Sequence, residues 1–186
     1  MARVKGTALR ASISFLESRA DPDSYRDILG NLPSDARQIV DAPILQSSWY
    51  PFDVLVALAQ AAKGHVPVPE GSTVSWEMGR HSSEQGLKGV YRVFLRILDP
   101  GYITRKSTQI FTAYYDSGKM ELVSLENKRA EIRVDGFDQP SDVFCERLQG
   151  FMERTLELTG ARDIRMAHPK CRAHGDSTCL YTGEWS

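Results

Sequence analysis

From Lys5 to about Arg19 the apolar residues Leu9, Ile13 and Leu16 fall on one helical stripe. Asp21-Pro22 reads as a cap with proline at the first helical position, and Gly30 stops the helix it starts. A short helical turn follows Ser34. Trp49-Tyr50-Pro51-Phe52 opens a strongly apolar helix through Val54, Leu55, Leu58 and Ala62, which ends at Gly64. After a proline-stiffened connector, Ser72 is placed to cap a helix carrying Trp76, Met78 and Leu87. Gly79, Gly86 and Gly89 cost that helix stability, so they imply close packing or a break near Gly86. Val90 to Leu98 reads as a further apolar helix. Asp99-Pro100 starts another, with Ile103, Ile110, Phe111 and Tyr114 on one face and Asp116-Ser117-Gly118 at its end.

Beyond Gly118 the period shortens to two. Met120, Leu122 and Leu125 alternate with polar residues, and Ala130, Ile132 and Val134 do so again after the Asn127-Lys128-Arg129 turn. This is a hairpin with one buried face. Ser141 caps a long helix with Phe144, Leu148, Phe151 and Thr155 on one side, and Gly160 closes it. Asp163 to Ala167 and Leu180 to Trp185 read as a second hairpin. The order predicts a single α+β domain, mainly helical over 1–118 and hairpin–helix–hairpin over 119–186. Its helical N-terminal part packs on a small antiparallel sheet of two hairpins separated by a long helix.

Composition acts here mostly by exclusion. At 186 residues, 41% hydrophobic and 25% charged, the chain suits a soluble domain that buries its core without disulfides. A net charge of −1 leaves no basic field for nucleic acid. No apolar run approaches the roughly 20 residues of a membrane span. Met1 to Gly6 lacks the apolar core of a signal peptide. The three cysteines are therefore expected as reduced thiols in the cytoplasm. No Gly-x-Ser-x-Gly elbow, P-loop or Gly-x-Gly-x-x-Gly motif follows a strand, and the chain is read as a non-enzyme.

All three cysteines lie in the last 42 residues, in the pattern Cys145-x22-His168-x2-Cys171-x7-Cys179. Zinc takes four thiolate or imidazole ligands in a tetrahedron, and a full set of protein ligands leaves no open position, so the expected site is structural. Cys145 follows the Ser141 cap, where the positive end of a helix favours thiolate. Gly175-Asp176 is a turn signal that lets Cys179 return beside His168 and Cys171. Three unrelated buried thiols are the plainer alternative. His174 competes with His168 for the fourth place.

The segment Cys171-Arg-Ala-His-Gly-Asp-Ser-Thr-Cys179-Leu-Tyr, with Trp185 after it, resembles the C-terminal signature of 4-vinyl-reductase-type domains. That resemblance implies zinc at Cys145, Cys171 and Cys179, with His168 standing where the family has Glu. Val4-Lys-Gly-Thr7, Ser48-Trp-Tyr-Pro-Phe52, Gly89-Val-Tyr-Arg-Val-Phe-Leu95 and Tyr114-Tyr-Asp-Ser-Gly118 resemble the myxobacterial paralogous family of unknown function. This second resemblance covers nearly the whole chain. It implies the ligand-binding fold shared by haem–nitric-oxide sensors, 4-vinyl-reductase-type domains and TRAPP trafficking subunits, and a homodimer through the apolar N-terminal helices. Haem itself is disfavoured. Tyr115-Asp-Ser-Gly-Lys119 differs in its last residue from the sensors' Tyr-x-Ser-x-Arg anchor, and Asp116-Ser-Gly reads as an ordinary helix stop.

Trp49, Trp76, Tyr91, Phe94, Phe111 and Tyr114, with His81 as a polar member, are candidates to line a ligand pocket; plain core is the alternative for each. The expectation is a non-catalytic sensory or regulatory domain for a small apolar or aromatic molecule. An adaptor of TRAPP-like fold is the second reading. A tetrapyrrole vinyl reductase, for which no nicotinamide or flavin motif exists, is the third.

Overall fold

The computed structural model describes residues 1–86 and 99–186. The fold is α+β. Strand β1 (Arg3–Lys5) leads into α1 (Gly6–Arg19), α2 (Pro22–Gly30) and α3 (Ser34–Asp41). Strand β2 (Trp49–Pro51) precedes α4 (Phe52–Ala62), and α5 (Val74–Gly86) follows the connector. Past the undescribed residues come α6 (Pro100–Arg105), α7 (Ser107–Tyr114) and the hairpin β3 (Lys119–Glu126) and β4 (Arg129–Asp135). The chain ends with α8 (Asp142–Leu158), β5 (Arg165–Lys170) and β6 (Cys179–Glu184). No helix among the described residues is long and apolar enough to cross a membrane.

The two hairpins join into one antiparallel sheet of order β3-β4-β6-β5, with β4 against β6 as the seam. Asn127 and Lys128 both take positive φ, the backbone a two-residue hairpin turn requires. Caps fall where short polar side chains precede apolar runs. Asp21 accepts from Asp23 and Ser24, Asp99 from Tyr102, and Ser141 from Phe144.

Three sequence expectations are corrected. Trp49-Tyr50-Pro51 is not the start of a helix but a strand that pairs with Arg3–Lys5, so α1 begins at Gly6 rather than Lys5. Thr73, not Ser72, accepts from Trp76 N–H at the start of α5. The helix expected from Asp99 to Tyr114 is two, broken at Lys106. The segment 90–98 and the glycine at 89 lie outside the described residues.

Helix α8 lies at the centre. It packs on α5 with almost no spacing, because Gly79 and Gly150 face the partner backbone. A Cβ on Gly79 would stand 2.0 Å from the Arg147 carbonyl oxygen, and one on Gly150 would stand 2.2 Å from that of Trp76. On its outer side Arg80 grips Glu157 through two hydrogen bonds of 2.9 and 2.8 Å, and Arg154 reaches Glu84 at 2.7 Å. The opposite face covers the sheet. Its N-terminal half joins an aromatic cluster in which Phe137 stacks on Phe144 at 3.9 Å, with Phe52 and Tyr115 edge-on. Its C-terminal half packs Leu156 with Ala130, Ala161 and Trp185 in a separate apolar cluster.

Candidate metal centre and ligand cavity

Cys145, His168, Cys171 and Cys179 converge, with one ligand atom from each lying within 4.8 Å of all the others. The first turn of α8 supplies Cys145, and the β5–β6 hairpin supplies the rest. A strand of period two would send His168 and Cys171 to opposite faces. The register of β5 on β6 slips between Ala167 and Lys170, where three steps along β5 match two along β6. This bulge, at His168-Pro169, returns both side chains to one face, and Pro169 has no N–H to lose from the ladder. Beyond it the loop closes on itself. Asp176 Oδ2 accepts from Cys171 N–H at 2.8 Å, and Gly175 turns with φ of 100°.

Ligands about 2.3 Å from a tetrahedral centre stand about 3.8 Å apart. Cys145 Sγ lies 3.4 Å from Cys171 Sγ and 3.8 Å from Cys179 Sγ. The buried Nε2 of His168 has no hydrogen-bond partner. The Arg172 N–H donates to Cys179 Sγ at 3.3 Å. A hydrogen bond from Cys145 holds the Cys179 thiol well below the ordinary range, with His168 and the Arg172 N–H acting the same way against burial. That same bond and burial push Cys145 well up. The hydrogen-bonded thiols thus favour one shared negative charge in the cluster, and a cation bound there would displace the remaining protons. The donor set fits zinc. His174 is not in the cluster; it is exposed, and its ring meets Asp142 at 2.8 Å.

The inner face of β6 carries Cys179, Tyr181 and Gly183 in succession and so runs from this cluster to a cavity. Tyr181 belongs to both places. Its ring stacks on His168 at 4.1 Å, its hydroxyl donates to the Cys145 carbonyl at 3.4 Å, and it lines the cavity. The cavity, of about 70 Å³, opens between the aromatic cluster of α8 and the Trp185 cluster. Ile132 and Leu148 wall one side and Leu156 and Trp185 the other; Met120, Met152 and Met166 supply flexible, polarisable wall.

Of the aromatic candidates, Phe111 and Tyr114 line this space. Trp49, Trp76 and His81 do not, because each is engaged elsewhere. Lys5 Nζ sits 4.1 Å over the Trp49 ring, Arg80 packs over Trp76, and His81 meets Phe15 edge-on and Gln85 at 3.2 Å. Tyr91 and Phe94 lie outside the described residues. Sequence reasoning missed Arg147, which lines the cavity from α8 and is only 2% exposed. The available signal was its place between Phe144 and Leu148 on an otherwise apolar stripe.

No family model matches the chain, and no curated protein is significantly similar to it in sequence. Its fold is that of H-NOX proteins. An H-NOX protein from S. oneidensis in the Fe(II)NO ligation state is 14% identical over 98% of this chain and 99% of its own, with a TM-score of 0.71. The Fe(II) unliganded H-NOX protein from K. algicida is 11% identical over 98% and 96%, with a TM-score of 0.66. An oxygen-binding H-NOX domain related to soluble guanylate cyclases, in its oxygen complex, is 12% identical over 98% and 95%, with a TM-score of 0.65.

The cavity does not fit a haem held by an axial imidazole or thiolate. None of the four histidines (His65, His81, His168, His174) and none of the three cysteines lines it. Its volume is less than that of the ~150 Å³ cavity that admits a single benzene in an engineered protein, so even a benzene-sized guest requires the wall to part, and a macrocycle far more so.

Proposed function

We propose that this chain is a non-catalytic sensory or regulatory domain that binds a small apolar or aromatic molecule, with zinc as a structural clasp. The observation that carries the ligand reading is the cavity at the seam between two otherwise filled core clusters. Natural interiors leave few voids, and the wall of this one includes Met120, Met152 and Met166, whose side chains can rearrange around a guest. The solved neighbours in NO-ligated and oxygen-bound states support a ligand-binding use of the same fold.

Zinc would be held by Cys145, His168, Cys171 and Cys179. The resemblance to 4-vinyl-reductase-type domains supports the same assignment. With all four positions filled by protein, the ion contributes folding energy and pins α8 to the last hairpin; it offers no site to a reacting group. The resemblance to the myxobacterial paralogous family supports a homodimer through the N-terminal helices, working in the cytoplasm.

Native mass spectrometry of the full chain purified from cells tests these readings together. The expected spectrum shows a dimer, one zinc per chain, and either a retained organic ligand or one that can be titrated in. No ligand across an aromatic panel, with a protein partner recovered by pull-down, would replace the sensor with the adaptor. A Soret band on the purified protein would restore haem.

A further inference from the structure

The one charged side chain on the cavity wall among the described residues is Arg147. It is nearly fully buried, and its Nη2 donates to the Ala8 carbonyl at 3.3 Å while its Nη1 has no partner. Among the described residues no Asp or Glu lines the cavity and Arg147 forms no salt bridge, and the segment 87–98 contains no acidic residue in its sequence. A second orphan sits in the same wall, since the buried Ser107 Oγ also lacks a partner. Burial pushes the Tyr114 and Tyr115 phenols up, while the Arg147 guanidinium pulls both back by its charge and Tyr115 also through a side-chain hydrogen bond.

A guanidinium keeps its charge inside a protein, and a buried charge left unpaired is costly. Its planar fork matches the two oxygens of a carboxylate. An apolar wall closed by one unpaired cation is complementary to a molecule with an apolar body and an anionic head. We propose that the cavity binds a small amphipathic carboxylic acid, its carboxylate on Arg147 Nη1 and its apolar body between Leu148, Ile132 and Leu156. The inference rests on the cavity being a ligand site, and it narrows the ligand from apolar molecules in general to organic acids.

Two matched pairs of probes test it by isothermal titration calorimetry on the full chain: benzoate against benzyl alcohol, and hexanoate against hexanol. A charge-assisted hydrogen bond implies that each acid binds about ten- to a hundredfold tighter than its alcohol. Arg147→Met removes the charge at similar length and should abolish that preference while the alcohols still bind. If Arg147→Met does not fold, Arg147→Lys keeps the charge without the fork; it should retain the preference for acids and bind them more weakly than the wild type. Acids and alcohols binding the wild type equally would overturn the inference and leave the ligand reading standing. No binding of any probe at millimolar concentration would remove both. Unchanged acid preference in Arg147→Met would place the anion elsewhere and overturn the assignment.

Discussion

The cysteine–histidine cluster and the cavity lie on the same strand and the same helix, and each contains a buried nitrogen without a hydrogen-bond partner: His168 Nε2 in one, Arg147 Nη1 in the other. What surrounds each nitrogen decides what it implies. Around His168 are three thiols at the spacing of a tetrahedron, groups that become anionic and donate lone pairs, so the missing partner is a cation. Around Arg147 are hydrocarbon, the Ala8 carbonyl and the Tyr115 phenol, neutral acceptors that leave Nη1 without a partner and the charge uncompensated, so the group that completes it is an anion. The difference extends to mechanics. The cluster ties three chain segments together, whereas the cavity interrupts a core that is packed on both sides.

The largest expected effect comes from Cys171→Ser, which takes one ligand from the cluster and leaves the cavity wall untouched. Zinc binds comparable four-ligand sites with ~10–16 kcal/mol of apparent free energy, against the ~5–15 kcal/mol that separates a folded domain from its unfolded chain. The variant should lose about one zinc equivalent by elemental analysis, and its thermal midpoint should fall sharply. A chelator should do the same to the wild type. A variant that keeps its full metal content and its midpoint would reduce the cluster to three buried thiols.

The two regions also differ in how far the chain betrayed them. Cysteine is rare, and three in 42 residues with a histidine three positions before the second made the cluster legible in the sequence. The bulge that aims His168 was only half legible: Pro169 marks an edge strand or an irregularity, but not that β5 must carry one residue more than β6. Element types were readable where an amphipathic period ran for ten residues or more, as in α1 and α8. The period misled at Trp49–Pro51, where pairing with Arg3–Lys5 across the chain overrides an apolar run that reads as helix. Arg147 was hidden among 23 basic residues, since burial and the lack of a partner are properties of the fold and not of the sequence. Trp49, Trp76 and His81 fall outside the cavity because aromaticity does not say which space a ring faces: Lys5 packs over Trp49, while Trp76 and His81 line a separate groove with Arg80 and Glu153.

Arg147→Met separates the regions from the other side. Replacing buried ionic groups by apolar ones of similar volume often stabilises by ~1–4 kcal/mol. The bonds to the Ala8 carbonyl and the Tyr115 hydroxyl, each worth about 1 kcal/mol, are lost in exchange. In the absence of ligand the thermal midpoint should therefore rise, by roughly 2–4 °C for each net kcal/mol in a chain of this size, with zinc content unchanged. A midpoint that falls by several degrees would mean that the guanidinium is satisfied where it stands, and the contrast with His168 would collapse.

Tyr181 is the narrowest link between the two places, and its hydroxyl is the smallest change that can probe it. The ring lies flat on His168 with an interplanar angle of 3°, and phenylalanine keeps that stack and the cavity wall. Burial pushes the phenol well above its ordinary range, so it stays a neutral donor to the Cys145 carbonyl. At 3.4 Å that bond is long, which places its loss near the lower end of the usual ~0.5–1.5 kcal/mol. Tyr181→Phe should thus shift the midpoint by no more than a few degrees, keep one zinc per chain, and leave the affinity for benzoate within about threefold of the wild type. Loss of metal from this variant would show that the hydroxyl holds the first turn of α8 over the cluster. Loss of benzoate binding with zinc retained would give the phenol a direct part in seating the acid. Either result would turn two neighbouring sites into one coupled site, with the strand from Cys179 to Gly183 as its physical connection.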